Sequence, residues 1–405
     1  MARFLLLAAF LAALTGGAAA AGKGHHGPSA AADCPPDDGA LRCATAASPA
    51  LGPDGALWLA WVAGGRVWAA RTPAGDPAGA LGAPVDVSGA PARVDANGDG
   101  RPSLVVDASG RATVAWSHRR GQAYNGQVLL AASADGGRTF SPPVPLVADG
   151  VSERFPVLLA DPGRGLFAAW IDKRAAAAAA AAGREHAGAS LLGAWSTDGG
   201  ATFGPSFVIG ANSCECCRVA LAAGPDGRPA LAWRGIFPGG IRDHAVMSLG
   251  SDGAPGPVRR LADDGWAIDA CPHHGPALAA GAGALHAAWY TEGRHRQGLF
   301  YARSGDGGES FTDPLPFGAP DRLPSHPHVA ASGETVWLAW KEFDGSRTRI
   351  LVQVSRDGGT SWGAPRAAAE TADDSDHPVL LVHAGTAYLS WLSRAEGWRL
   401  FPLSP

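Results

Sequence analysis

Short apolar runs recur along the chain, and each follows a Gly/Asp-rich turn and ends in Ala-Trp or Ser-Trp. Two further apolar stretches flank each run, and all are short, rich in Val, Leu, Ala and Trp, and bounded by Gly, Asp or Pro. This is the pattern of strands. The tryptophans recur about every 55 residues, at Trp61, Trp116, Trp170, Trp233, Trp289, Trp340 and Trp391. Antiparallel strands repeated at this period predict an all-β fold, a β-propeller with four-stranded blades.

Seven copies favour seven blades, although six would result if the two terminal copies shared one blade. The longest interval contains an alanine run, 175–182, which we interpret as a lengthened loop between strands. The last repeat ends with the strand-like segment 397–403 and has no outer strand. We therefore expect a strand from before the first repeat to complete the last blade and remove a free sheet edge.

Four repeats carry a second motif after their third apolar stretch, S-x-D-G-G-x-x-aromatic. The copies are SADGGRTF (133–140), STDGGATF (196–203), SGDGGESF (304–311) and SRDGGTSW (355–362). Gly-Gly permits a tight turn with positive φ, and Ser and Asp can bond its backbone, so the motif has a structural role. It resembles the Asp-box, or BNR repeat, of the sialidase-like β-propeller superfamily, and the resemblance covers residues 45–405.

The N-terminal 21 residues have the pattern of a secretory signal peptide: Arg3, an apolar run over 4–14, and small residues over 19–21. The run is too short to span a bilayer, and no later segment is long enough, so we expect no transmembrane segment. The mature chain is expected to be periplasmic or secreted, and monomeric. Export permits disulfides, and we predict a local one between Cys34 and Cys43 in the segment 22–44.

The charge balance excludes one class of partner. The net charge is −4, with 33 Lys and Arg against 37 Asp and Glu. Such a chain has no basic field to hold nucleic acid. A small molecule, a glycan or a metal ion is the expected ligand.

Arginine, cysteine and histidine recur 13–16 residues before the repeat tryptophan in six of the seven repeats, often beside a proline. Equivalent positions of a radial repeat converge on its axis, so we expect these side chains to face one funnel. The candidate ligand-binding residues are Arg101, Arg154, Arg218 and Arg242. The candidate metal ligands are Cys214, Cys216, Cys217, Cys271, His273, His274, His326 and His377.

Cysteine and histidine together form a soft ligand set that suits copper or zinc. The C-x-C-C run of residues 214–217 resembles no zinc ribbon or finger pattern, because a zinc ribbon needs two separate C-x-x-C pairs. In an oxidising compartment the four cysteines could instead form two disulfides between blades 4 and 5, or remain free. One disulfide with histidine ligands also fits.

A possible calcium loop lies at Asp95, Asn97 and Asp99, which have D-x-N-x-D-G spacing. Val106 stands where an EF-hand needs Glu, so the loop resembles instead those of integrin-type FG-GAP repeats. Ser103 replaces a further Asp of that pattern. The alternative is an Asx-rich turn that holds no ion.

The sialidase resemblance implies three arginines that bind a carboxylate, a Tyr nucleophile assisted by Glu, and an Asp acid/base. Arg101 and Arg154 stand in partial copies of the family's F/Y-R-I-P motif, and Tyr290 with Glu292 is the single Tyr–Glu neighbourhood. Three functions stay open: a ligand- or metal-binding propeller, a sialidase-type exo-glycosidase, and a structural propeller locked by disulfides.

Overall fold

The computed structural model describes residues 39–121, 125–148 and 150–403, and within these ranges 27 strands form seven antiparallel sheets. Blade 1 contains β1 (Ala46–Leu51), β2 (Leu57–Ala63), β3 (Arg66–Arg71) and β4 (Val85–Asp86). Blade 2 contains β5 (Ser103–Val106), β6 (Ala112–Arg120), β7 (Asn125–Ser133) and β8 (Val144–Pro145). Blade 3 contains β9 (Glu153–Asp161), β10 (Gly165–Asp172), β11 (Ala189–Ser196) and β12 (Phe207–Ser213).

The remaining blades follow in chain order. Blade 4 contains β13 (Ala220–Ala223), β14 (Pro229–Arg234), β15 (His244–Ser248) and β16 (Arg259–Arg260). Blade 5 contains β17 (Ala277–Gly281), β18 (Ala284–Glu292), β19 (Gln297–Ser304) and β20 (Leu315–Phe317). Blade 6 contains β21 (Ser325–Ser332), β22 (Thr335–Phe343), β23 (Thr348–Ser355) and β24 (Arg366–Thr371). Blade 7 contains β25 (Val379–His383), β26 (Thr386–Ser393) and β27 (Gly397–Leu403).

The blades close into a ring through their first strands. Each first strand contacts the first strands of both neighbouring blades, and β25 contacts β1. The seven-bladed propeller predicted from the repeats is therefore confirmed.

Blade 7 has three strands among the described residues, and a 3-10 turn, Leu41–Cys43, contacts its outer strand β27. The chain that would add a fourth strand precedes residue 39. That strand, the signal peptide 1–21 and the Cys34 partner of Cys43 all lie outside the described residues and stay predictions.

The repeat tryptophans fill the interior of the blades. All seven lie in the second strand of their blade and are at most 2% exposed. Burial of such large side chains is a main source of propeller stability. The pattern that identified the repeat is thus the pattern of the core.

The alanine run forms a helix, α1 (Arg174–Ala181), between β10 and β11, so the prediction of a loop was wrong. Alanine has the highest helix propensity of all residues, and the run contains no Gly or Pro to stop it. No helix in the described ranges is long and apolar enough to cross a membrane.

The four Asp-Gly-Gly turns join the third and fourth strands of their blades, away from the axis. In blade 2, Ser133 Oγ donates to Asp135 at 2.9 Å and accepts from the Gly137 amide at 2.9 Å. Equivalent bonds form in the other three turns. Gly136 and Gly137 have φ of 77° and 83°, as the turn requires. These hydrogen bonds support the structural role expected for the motif.

Candidate functional site

Three cysteine thiols meet in the turn that joins blade 3 to blade 4. Cys214 Sγ lies 3.3 Å from Cys216 Sγ and 3.4 Å from Cys217 Sγ. The three sulfur atoms lie within 4.8 Å of one another, and the residues are 1%, 4% and 2% exposed. All three are free thiols, as is Cys271. We call Cys214, Cys216 and Cys217 the inner thiol group.

Two arginines give the inner thiol group a positive environment. Arg242 Nη1 donates to Cys214 Sγ at 3.7 Å. Arg234 is 1% exposed, and its guanidinium donates to the carbonyls of Arg242, His274 and Tyr290. Hydrogen bonds from the neighbouring thiols, with the charge of Arg234, lower the pKa of Cys214. The geometry therefore favours a thiolate at Cys214, the form that binds metals.

A second group of donors adjoins the first and shares Cys216 with it. The ligand atoms of Cys216, Cys271 and His273 lie within 4.8 Å of one another. Cys271 is exposed, and the side chain of His273 is 58% exposed. We call these three residues the outer group. Cys271 and His273 lie in the loop between blades 4 and 5, so both inter-blade loops reach one place, as the repeat alignment predicted.

The other candidate histidines form a column of stacked rings instead of joining the thiols. The His326 and His377 ring centroids are 3.6 Å apart, those of His274 and His326 are 4.3 Å apart, and Tyr290 stacks on His274 at 4.2 Å. Burial lowers the pKa of each imidazole well below its usual range, which favours the uncharged form of all three rings. Metal binding by these three histidines stays a prediction, without support from their stacked geometry.

A β-bulge brings His326 into this column. The register between β21 and β22 shifts across His326 and Pro327, and His326 has a φ of 51°. Phe155 occupies the same kind of bulge in blade 3, with a φ of 54°. Bulges redirect the side chains of the residues that they contain, and the bulge in blade 6 places the His326 ring between those of His274 and His377.

A cavity of about 280 Å³ lies on the propeller axis. Residues from all seven blades line it, among them Ser48, Ser103, Val157, Ala220, Ala277, His328 and Val379. Arg101, Arg218 and Asp99 also line it, whereas Arg154, Arg242 and the four cysteines are not among its lining residues. The structure therefore divides the predicted funnel into an axial cavity and a thiol site beside it.

The four predicted ligand-binding arginines already have acceptors within the protein. Arg101 pairs with Asp376 at 2.9 Å, and Arg154 donates to Asp95 at 2.8 Å. Arg218 donates to the Pro327 carbonyl at 2.8 Å and lies 3.7 Å from Asp99. Arg242 donates to Cys214 Sγ at 3.7 Å. These contacts do not form an open three-arginine site for a carboxylate.

The Asp95 loop is held by its own side chains. Asp95 accepts hydrogen bonds from Arg119 and Arg154. Asn97 Oδ1 accepts from the amides of Asp99 and Gly100, at 3.0 and 2.7 Å. The three predicted calcium ligands thus face separate partners, which favours the Asx-turn alternative. Burial raises the pKa of Asp99 to about 7, against the opposing charges of Arg218 and Arg101.

Tyr290 and Glu292 are also adjacent, and the Tyr290 hydroxyl donates to the Glu292 carboxylate. Burial and this hydrogen bond raise the pKa of Tyr290, which opposes formation of a phenolate. The importance of Arg234 was missed by sequence reasoning. Its only sequence signal is its place directly after the repeat tryptophan Trp233.

No protein-family model matches the chain, and no curated protein matches it. Solved structures do. A PL25 ulvan lyase has a TM-score of 0.58 at 11% identity, covering 87% of this chain and 91% of that chain. The polysaccharide lyase Uly1 has a TM-score of 0.54 at 8% identity, covering 88% of this chain and 90% of that chain. The Hadza microbial sialidase Hz136 has a TM-score of 0.48 at 15% identity, covering 86% of this chain and 73% of that chain.

The chain shares its β-propeller fold with the two lyases. At these identities the similarity to the two lyases establishes the fold alone. The chemistry that the protein can perform therefore has to be inferred from its own side chains.

Proposed function

We propose that the protein binds a soft metal ion, Cu(I), through the thiols of Cys214, Cys216 and Cys217. The supporting observation is the inner thiol group itself: three sulfur atoms within 4.8 Å of one another, in residues at most 4% exposed. Thiolate sulfur is a soft donor and selects copper(I), zinc or iron–sulfur clusters over calcium and magnesium. Burial also keeps water from competing for the ion.

The number of converging sulfur atoms favours copper(I) over zinc. Structural zinc sites are almost always tetrahedral, with four protein ligands. Cys271, the fourth thiol, is grouped with Cys216 and His273 rather than with Cys214 and Cys217. Three donors suit the low coordination number that copper(I) accepts.

The charges around the thiols support a bound anionic cluster. Three thiolates and one Cu(I) ion carry a net charge of −2. Arg242 lies 3.7 Å from Cys214 Sγ, and the buried Arg234 has three carbonyl acceptors. A buried guanidinium is costly without a counter-charge, and a copper–thiolate centre would supply one.

Export by residues 1–21 is part of the proposal. It would place these thiols in an oxidising compartment, where unprotected cysteines form disulfides. Bound Cu(I) would occupy the thiolates that oxidation needs. The alternative is a structural propeller locked by disulfides. It requires Cys271 and the three cysteines of the inner thiol group all to be oxidised in the purified protein.

Anaerobic titration of the reduced full chain with Cu(I), against a colorimetric Cu(I) chelator, tests the proposal. We expect tight binding by the wild type and its loss in Cys214→Ser and Cys217→Ser. Ser213→Ala, at the adjacent buried position, is the matched control and should bind like the wild type. A reduced wild type that takes up no Cu(I), or that prefers zinc, would contradict the proposal.

A glycan-directed activity is the second candidate, favoured by the hydrogen bond from Tyr290 to Glu292. The sialidase resemblance would make this pair the nucleophile and its base. Turnover of a fluorogenic sialoside by the wild type, lost in Tyr290→Phe, would support it. Absence of turnover by the wild type would eliminate the sialidase version.

A further inference from the structure

We propose that Cys216 bridges two metal positions. The inner position is completed by Cys214 and Cys217, and the outer position by Cys271 and His273. This inference rests on the proposed metal binding and extends it from one ion to two. The repeat pattern of the sequence did not predict that the inner thiol group and the outer group have Cys216 in common.

The geometry points to sharing because Cys216 is the one residue common to both groups. In each group the ligand atoms lie within 4.8 Å of one another. A thiolate sulfur has several lone pairs and can bind two metal ions at once. Five donors with one shared therefore make two three-coordinate positions, which suits two Cu(I) ions.

The charge count agrees with two ions. Four thiolates and two Cu(I) ions carry a net charge of −2, which the guanidinium groups of Arg234 and Arg242 would balance. Arg242 bonds Cys214 and also lies 3.9 Å from the exposed carboxylate of Asp269. Arg242 thus lies between the inner position and the loop that carries Cys271, and Asp269 offsets part of its charge.

The two positions differ in access to solvent. Every ligand of the inner position is buried, whereas Cys271 is exposed and the His273 side chain is 58% exposed. Metal should therefore enter and leave through the outer position. Cys216 would remain bound to one ion while the other exchanges, so the inner ion would be the slower to leave.

The test is the copper stoichiometry of the reduced full chain, measured by anaerobic Cu(I) titration. We expect two equivalents for the wild type and one for the double variant Cys271→Ser/His273→Ala. His295→Ala, another exposed histidine of blade 5, is the control and should keep two. Thermal melting of each apo protein verifies that the variants are folded.

X-ray absorption at the copper edge tests the bridge separately. The doubly loaded wild type should show a copper–copper distance that the double variant lacks. One equivalent in the wild type, or two without copper–copper scattering, would overturn the bridge and leave a metal site in place. Two equivalents in the double variant would overturn the outer position. No uptake at all would instead contradict the proposed function.

Discussion

Replacing Arg242 by glutamine tests whether positive charge beside the thiols stabilises the bound metal. Arg242 Nη1 lies 3.7 Å from Cys214 Sγ, and the arginine side chain is 16% exposed. Two unit charges at that distance interact by about 4.5 kcal/mol at an effective dielectric constant of about 20. Glutamine keeps a donor group and most of the length but removes the charge.

The measurable effect will be smaller than this Coulomb energy, because water and the nearby Asp269 carboxylate screen the arginine. Outer contacts of metal ligands typically change affinity by about 10–100-fold. That range corresponds to about 1.4–2.8 kcal/mol. We expect Arg242→Gln to weaken Cu(I) binding by this factor and to leave the stoichiometry unchanged.

The assay is competition with a Cu(I) chelator under anaerobic conditions, at low and high salt. Arg259→Gln removes an exposed arginine of the same blade and serves as the control. It should bind copper like the wild type. If Arg242→Gln binds within twofold of the wild type, the electrostatic argument for an anionic cluster is wrong.

Three other predictions concern the propeller around the site. Burial raises the pKa of Glu153 from 4.5 to about 7, so the wild type loses stability as pH rises through that interval. Above pH 7, the free energy of unfolding of Glu153→Gln, measured in urea, should exceed that of the wild type by about 1–2 kcal/mol. At pH 4 the two free energies should be equal. His377→Ala should still bind two equivalents of copper, but its melting temperature should fall because the ring stack with His326 is lost. Loss of copper from this variant would instead indicate that the stacked histidines bind metal. Trp391→Ala should cost about 3–5 kcal/mol in urea unfolding, and a cost below 1 kcal/mol would contradict its core position.

The repeat tryptophans explain why the fold could be predicted. They combine strand periodicity with a buried position in the second strand of each blade, so one residue reports both the number of blades and the core. The alanine run shows the limit of the same reasoning. Its place between strands suggested a loop, whereas its own helix propensity determined α1 (Arg174–Ala181).

The site could be predicted only where it is built from residues at equivalent positions of the repeats. Alignment on the tryptophans correctly brought Cys271 and His273 beside the C-x-C-C turn. It could not separate His273 from His274, because two adjacent residues point in different directions once the loop is built. His273 joins Cys216, while His274 stacks on Tyr290. Positive φ at His273 and at His326 is a tertiary feature that no spacing reveals.

The arginines illustrate a second limit. Arg101 and Arg154 match part of a carboxylate-binding motif, but their acceptors, Asp376 and Asp95, come from other parts of the chain. An arginine that binds a ligand and one that binds a distant aspartate have the same local sequence. Only the assembled ring distinguishes them.

The central claim is that the thiols of the turn 214–217 hold metal, and anomalous scattering tests it most directly. Crystals of the Cu(I)-loaded full chain, grown without oxygen, should show copper peaks in anomalous difference maps at the copper edge. We predict one peak among Cys214, Cys216 and Cys217 and a second among Cys216, Cys271 and His273. Peaks at the stacked histidines instead, or disulfide density with no copper peak at the thiols, would contradict the account.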